Sequence, residues 1–225
     1  MKKFSDLQVD QIPETIPEST ESSFPEYMIN DTNFIGYSDE SLQYAVYNAT
    51  AFGTIQTGTE SVLDVGCGRG DFGNYLLSLY PNLTYTGIDF NPVMIDVGKY
   101  KYSTLNNFNL KLEKFDSEYQ VNSIYDWVYH VTDLTINYGI KPDLNPFDGD
   151  NRYIILKEMI SKSLEICNKG VVLILLNDKE TYDSYLNYSF DKISEILYEL
   201  NLPFGIDNSD IPNVFKLTVL KTAFI

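Results

Sequence analysis

The stretch "SVLDVGCGRGDFGNYLL", residues 61 to 77, constrains what this chain can fold into more than any other. A short apolar strand runs into Gly66, Gly68 and Gly70, and a helical pattern leaves from Asp71, the residue expected to cap it. Glycine at alternate positions supplies backbone that can take positive φ and that puts no Cβ between itself and a ligand. A strand, a glycine turn and a helix N-terminus in that order form the first unit of a doubly wound sheet, with a ligand site at the carboxyl edge of the strand.

Alternation of short apolar runs with helical segments then continues to the end of the chain, which implies parallel βαβ units. "TYTGIDF" reads as the second strand, followed by a helix with Asn91 as N-cap and Pro92 at its first position. "NLKLEKFD" and "YDWVYHVTDL" read as the third and fourth strands, and "NRYIILKEMISKSLEICNKG" as a long helix closed by Gly170. "VVLILL" is apolar throughout, as a strand buried on both faces should be, and belongs in the middle of the sheet. A helix carrying Phe190, Ile193, Leu197 and Leu200, a turn-rich stretch from Pro203 to Pro212 and an alternating strand "VFKLTVLKT" complete the pattern. Before the glycine turn, Ser38 is expected to cap a helix whose apolar face is Leu42, Ala45, Val46, Ala49 and Phe52. Residues 1–25 mix Pro, Ser, Thr and acids and are expected to form a mobile acidic segment ahead of a single domain over 26–225.

Charge narrows the partners. Sixteen basic residues face 32 acidic ones, a formal charge of −16, and such a field repels polyanions, so nucleic acid is disfavoured. Cys67 and Cys167 lie outside any CxxC or zinc spacing, which speaks against a disulfide framework and a structural metal. The longest apolar run, "GVVLILL", is too short to span a bilayer, and a soluble cytoplasmic protein with no membrane partner is expected.

The ligand can be read more closely from the spacing. The third position of a dinucleotide fingerprint is occupied by Asp71, so the pattern is G-x-G-x-G rather than G-x-G-x-x-G. Asp64, near the end of the first strand, is a poor neighbour for a pyrophosphate and a good one for a ligand bearing an ammonium and a sulfonium. S-adenosylmethionine has those charges, no phosphate, and a ribose that needs acceptors for two hydroxyls. Asp89, 19 residues after Gly70 at the end of the second strand, stands where a ribose clamp belongs, and Asp116 is expected to close the third strand.

These residues resemble a known family. "VLDVGCGRG" together with "YTGIDFNPVMIDVGK" is similar to the class I S-adenosylmethionine-dependent methyltransferases. The resemblance implies an α/β Rossmann-like methyltransferase fold: a doubly wound, mostly parallel seven-stranded sheet, helices on both faces, and a last strand running antiparallel. It implies that Asp64, Gly66, Gly68 and Gly70 line the methionine portion of the cofactor, Asp89 the ribose, Phe90 and Met94 the adenine face and Asp116 the adenine amino group, with Cys67 of the glycine turn also among the cofactor-binding residues. "GYSDESLQYAVYN" also resembles the lead-in helix of a small group of methyltransferase-like proteins and brings no substrate with it.

The implied reaction is transfer of a methyl group from S-adenosylmethionine to an unidentified acceptor, with a small molecule favoured. Displacement at a sulfonium is driven largely by alignment and desolvation, so a base is needed only where the acceptor must lose a proton. His130, the single histidine, is the candidate base, with Tyr129, Asp133 and Tyr138 as further polar candidates at the same strand end. The aromatic stretches "TYDSYLNYSF" and "YDWVYH" are candidates for an acceptor pocket or for core. Two other readings stay open here: a cofactor-binding module without turnover, and an NAD-dependent oxidoreductase, the latter weakened by the glycine spacing and by Asp64.

Overall fold

The computed structural model describes residues 24–32, 37–116, 118–120, 123–131, 144–177, 186–207, 211 and 213–221. Residues 1–23 of the acidic segment, and the candidates Asp133 and Tyr138, lie outside the described residues.

The strands are β1 (Ser61–Val65), β2 (Thr84–Asp89), β3 (Phe108–Leu112), β4 (Tyr125–His130), β5 (Cys167–Asn177), β6 (Asn187–Tyr188), β7 (Phe204–Asp207) and β8 (Val214–Leu220). They form one sheet in the order β3-β2-β1-β4-β5-β8-β7, with the two-residue β6 pairing alongside the end of β5. β1 to β5 run parallel, and β8 is antiparallel to both β5 and β7. The sheet is thus the doubly wound, mostly parallel one that the sequence predicts, with β6 making an eighth strand. Chain order reverses direction between β1 and β4, which opens the crevice where such sheets bind ligands.

Helices cover both faces. α2 (Glu40–Ala51), α3 (Asp71–Leu79) and α4 (Pro92–Lys101) share a core with Val62, Tyr85, Trp127 and Tyr129 of the sheet. α5 (Asn151–Glu165) and α6 (Phe190–Glu199) share another with Leu63, Val65, Val128, Val171 and Phe215. Successive residues of a strand point to opposite faces, so Val62 and Asp64 look towards α3 while Leu63 and Val65 look towards α5. A short helix, α1 (Glu26–Asn30), buries Met28 against Val93 and Val97 of α4. Among the described residues no helix is long and apolar enough to cross a membrane.

Tertiary packing shifts several local readings. Asp39, not Ser38, caps α2: its Oδ1 accepts the Leu42 N–H at 2.9 Å. The buried side of α2 is Gln43, Val46, Tyr47, Thr50 and Ala51, and Phe52 is 73% exposed. The aromatic packing of Tyr47 on Tyr37 and Phe72 turns the helix away from its aliphatic stripe. α3 is capped by Gly70, leaving Asp71 as its first residue. α5 ends at Glu165, and Gly170 lies inside β5, paired with Trp127 on one side and Leu220 on the other. Within the turn-rich stretch, Phe204–Asp207 is an edge strand recruited by β8.

Candidate functional site

The carboxyl ends of β1 and β2 meet at the glycine turn. Gly66, Gly68 and Gly70 have φ of 69°, 56° and 82°, a region that disfavours any residue with a Cβ. The turn's N–H groups are used within the fold. Those of Gly66 and Cys67 both donate to the Ile88 carbonyl, at 2.9 and 3.0 Å, and that of Gly70 donates to the Cys67 carbonyl at 2.9 Å. The Gly68 N–H donates to Asp89 Oδ2 at 2.9 Å, and Asp89 Oδ1 accepts the Asn91 N–H at 2.8 Å. One carboxylate therefore ties the turn to the N-terminus of α4, where Asn91 Oδ1 caps Val93 and Met94.

Asp64 is buried, and its Oδ2 accepts the Tyr85 hydroxyl proton at 2.6 Å. Burial, with the Asp64 charge next to it, pushes the Tyr85 phenol well above its ordinary range, so it stays a donor. Tyr37 is raised by the same two causes, with Asp71 adding to them. Asp71 closes the turn from the helix side. It pairs with Arg69 at 2.9 Å and Lys101 at 2.8 Å and accepts the Tyr102 hydroxyl. Burial opposes its charge, but the two cations and the Tyr102 hydroxyl together outweigh it and hold the carboxyl below its ordinary value.

The structure brings Asp64, Gly66, Cys67, Gly68, Gly70 and Asp89 together at this edge. Phe90 follows directly and is 68% exposed, while Met94 is buried in the first turn of α4. Asp116 does not close a strand. β3 ends at Leu112, because β2, its one neighbour among the described residues, ends at Asp89; the Glu113 N–H bonds to the Asp89 carbonyl, and beyond it no described strand is alongside. Asp116 sits four residues past the strand end, its Oδ1 accepting the Glu118 N–H at 2.9 Å.

His130 is not brought to the turn. It is fully buried on the α5 face of the sheet, with Nε2 2.9 Å from Ser163 Oγ and the ring edge-on to Phe115. Tyr129 points to the opposite face and donates its hydroxyl to Thr54 at 2.7 Å. Of the aromatic stretches, Trp127, Tyr188 and Leu186 are core.

Sequence reasoning passed over Arg69 and Tyr85. Arg69 had a legible signal: it is one of two arginines in a strongly acidic chain and stands between two glycines. Tyr85 had none, because only the β1–β2 register sets it beside Asp64.

A crossover between β1 and β4, a glycine turn at that point and an acid at the end of β2 define a doubly wound fold of the nucleoside-binding kind. Residues 62–139 match the family described as methyltransferase domain. Over 117 residues the chain is 28% identical to malonyl-[acyl-carrier protein] O-methyltransferase 1 of Ilyobacter polytropus, covering 45% of this chain and 42% of that protein. The chain thus spans less than half the length of this curated relative. Among solved structures, a SAM dependent methyltransferase from Aquifex aeolicus superposes with a TM-score of 0.51 at 18% identity, covering 76% of this chain and 86% of that one. An O-methyltransferase family protein from Burkholderia thailandensis gives 0.60 at 14% identity, covering 88% and 62%. The match to the methyltransferase domain family thus covers residues 62–139, and the likeness to the solved methyltransferases is one of fold.

Proposed function

We propose that this chain binds S-adenosylmethionine across the glycine turn and transfers its methyl group to a small-molecule acceptor. The observation that carries the reading is the donor and acceptor balance of the turn. The N–H groups of Gly66, Cys67, Gly68 and Gly70 are all engaged inside the fold, whereas a pyrophosphate would need such groups for itself. The one arginine of the turn is buried in an ion pair with Asp71. The side chains at this edge, Asp64 and Asp89, are carboxylates, which fits a ligand that carries positive charge and hydroxyl protons and no phosphate. Two carboxylates at this edge disfavour a nicotinamide dinucleotide, whose pyrophosphate they would repel.

When bound, the cofactor supplies a methyl group on a sulfonium leaving group already activated by its charge. Asp89, held by two N–H donors, orients acceptor lone pairs toward a ribose diol. The buried Asp64 carboxylate, kept in place by Tyr85, provides negative potential for the ammonium and sulfonium end. Phe90 offers an exposed flat ring to the adenine, with Met94 behind it and Asp116 beyond the end of β3 for the amino group. No base is assigned. An acceptor that reacts as an anionic oxygen needs none, and the activity named for the Ilyobacter relative, O-methylation of a malonyl group, is of that kind.

Calorimetric titration with S-adenosylmethionine, S-adenosylhomocysteine and NADH tests the cofactor, with Asp89→Ala alongside. Saturable binding of the first two, lost in the variant, is expected. Binding of NADH alone would overturn the reading. A screen of small carboxylic acids, followed by release of S-adenosylhomocysteine, then tests the acceptor.

A further inference from the structure

Arg69 lies within the glycine turn, yet its side chain is 1% exposed and runs to the first described segment of the chain. Its Nε donates to Asp71, and its Nη1 donates to the carbonyl of Met28 and, at 3.2 Å, to that of Asp31. Those carbonyls belong to the last turn and the C-cap of α1, where helical partners run out and a cation is favourable. The same segment is held on its other side by α4. Met28 is fully buried against Val93 and Val97, and the rings of Phe24 and Tyr100 meet edge-on at 5.6 Å. α4 in turn presses on the glycine turn: a Cβ on Gly98 would stand 2.3 Å from the Arg69 carbonyl oxygen.

Residues Phe24–Thr32, α4 and the turn therefore share one buried joint with a guanidinium at its centre. A charge removed from water is tolerated only while its partners stay in place. The segment cannot lift without stripping Arg69 of two acceptors, and the turn cannot rearrange without dragging Arg69 from beneath the segment.

We propose that Arg69 is a positioning residue that makes Phe24–Thr32 a working wall of the cofactor site, so that seating of this segment and occupation of the glycine turn strengthen each other. The inference rests on the reading of the turn given above. Coupling of this kind is reciprocal: the ligand tightens the segment, and loosening the segment weakens the ligand by the same factor.

The test uses the full chain. Amide hydrogen exchange is followed with and without saturating S-adenosylhomocysteine, and its Kd is measured for wild type, Arg69→Met, Arg69→Lys and Met28→Ala. Ligand is expected to slow exchange across residues 24–32 of the wild type. Arg69→Met should raise Kd roughly tenfold or more and abolish that slowing, with Arg69→Lys intermediate. Met28→Ala, which leaves the turn untouched, should also raise Kd, by several fold. Wild type that binds the ligand with no change in exchange at 24–32 overturns the inference alone, as does a cooperatively melting Met28→Ala variant that binds like wild type. If Arg69→Met does not fold, those two measurements decide. A wild type that binds no S-adenosylhomocysteine overturns the cofactor reading itself.

Discussion

Replacing Glu60 by glutamine takes one negative charge out of the turn that launches β1, and the structure sets the size of the effect. Glu60 is buried, and its Oε1 accepts the N–H groups of Gln56 and Thr57 at 3.0 Å each and the Lys169 ammonium at 3.1 Å. Its Oε2 accepts the Thr59 N–H at 3.1 Å. Burial works against the charge, but these donors prevail and lower the carboxyl from 4.5 to about 2. That displacement corresponds to about 3 kcal/mol of stability at neutral pH. Lys169 is 35% exposed, so part of the pair is screened, and Glu60→Gln is expected to cost about 2 kcal/mol. Because the folded carboxyl titrates below the unfolded one, the contribution is complete above the unfolded value and is lost as pH falls towards the folded one. Between pH 7 and about 3.5 the wild type should lose ~1.4 kcal/mol through this group, while the glutamine cannot titrate. Urea unfolding followed through the single, buried Trp127 gives both stabilities, and the remaining carboxylates cancel in the difference. The gap between wild type and variant should narrow in acid. A gap that stays constant or widens would refute the assignment of this stability to an ionised Glu60.

Asp89→Asn keeps the shape of the side chain but not its charge, and should weaken S-adenosylhomocysteine by about 1.5–3 kcal/mol in calorimetry; unchanged affinity would remove Asp89 from the site. Gly70→Ala forces a Cβ into a left-handed φ of 82° and to 2.7 Å from the Phe108 ring, so thermal melting should show a loss of about 2 kcal/mol or more. His130→Ala should also cost about 2 kcal/mol, by opening a cavity and leaving Ser163 without its partner, while the Kd for S-adenosylhomocysteine stays put. A folded His130→Ala protein with weakened binding would bring that histidine back towards the turn.

Local chemistry made the centre of this protein legible. The residues from Val62 to Gly70 need only their own backbone preferences: an apolar strand, positive φ at three glycines, then a helix. Asn91 and Pro92 likewise specify the start of α4 through a cap that is local by nature. Asp89 was legible because it is the last residue of an apolar strand, so its carboxylate had to fall at the same edge as the turn. Charge of one sign across the chain was enough to disfavour polyanions.

Long-range pairing decided the rest. Gly170 reads as a helix stop, yet β4 and β8 claim it for a strand, with the Val219 carbonyl and Trp127 too close to leave room for a Cβ. β3 stops at Leu112 because its neighbour stops, and Asp116 is stranded beyond it. His130 reads as a base at a strand end, but the parity of β4 turns it to the α5 side of the sheet. Arg69 shows the division most plainly. Its place between two glycines is a fact of sequence, but its partners, Met28 and Asp31, come from a segment about 40 residues away whose position depends on α4. Backbone preference and strand patterning act within a few residues and can be read along the chain; register, the end of a neighbouring strand and the partners of a buried charge arise only when distant elements pack together.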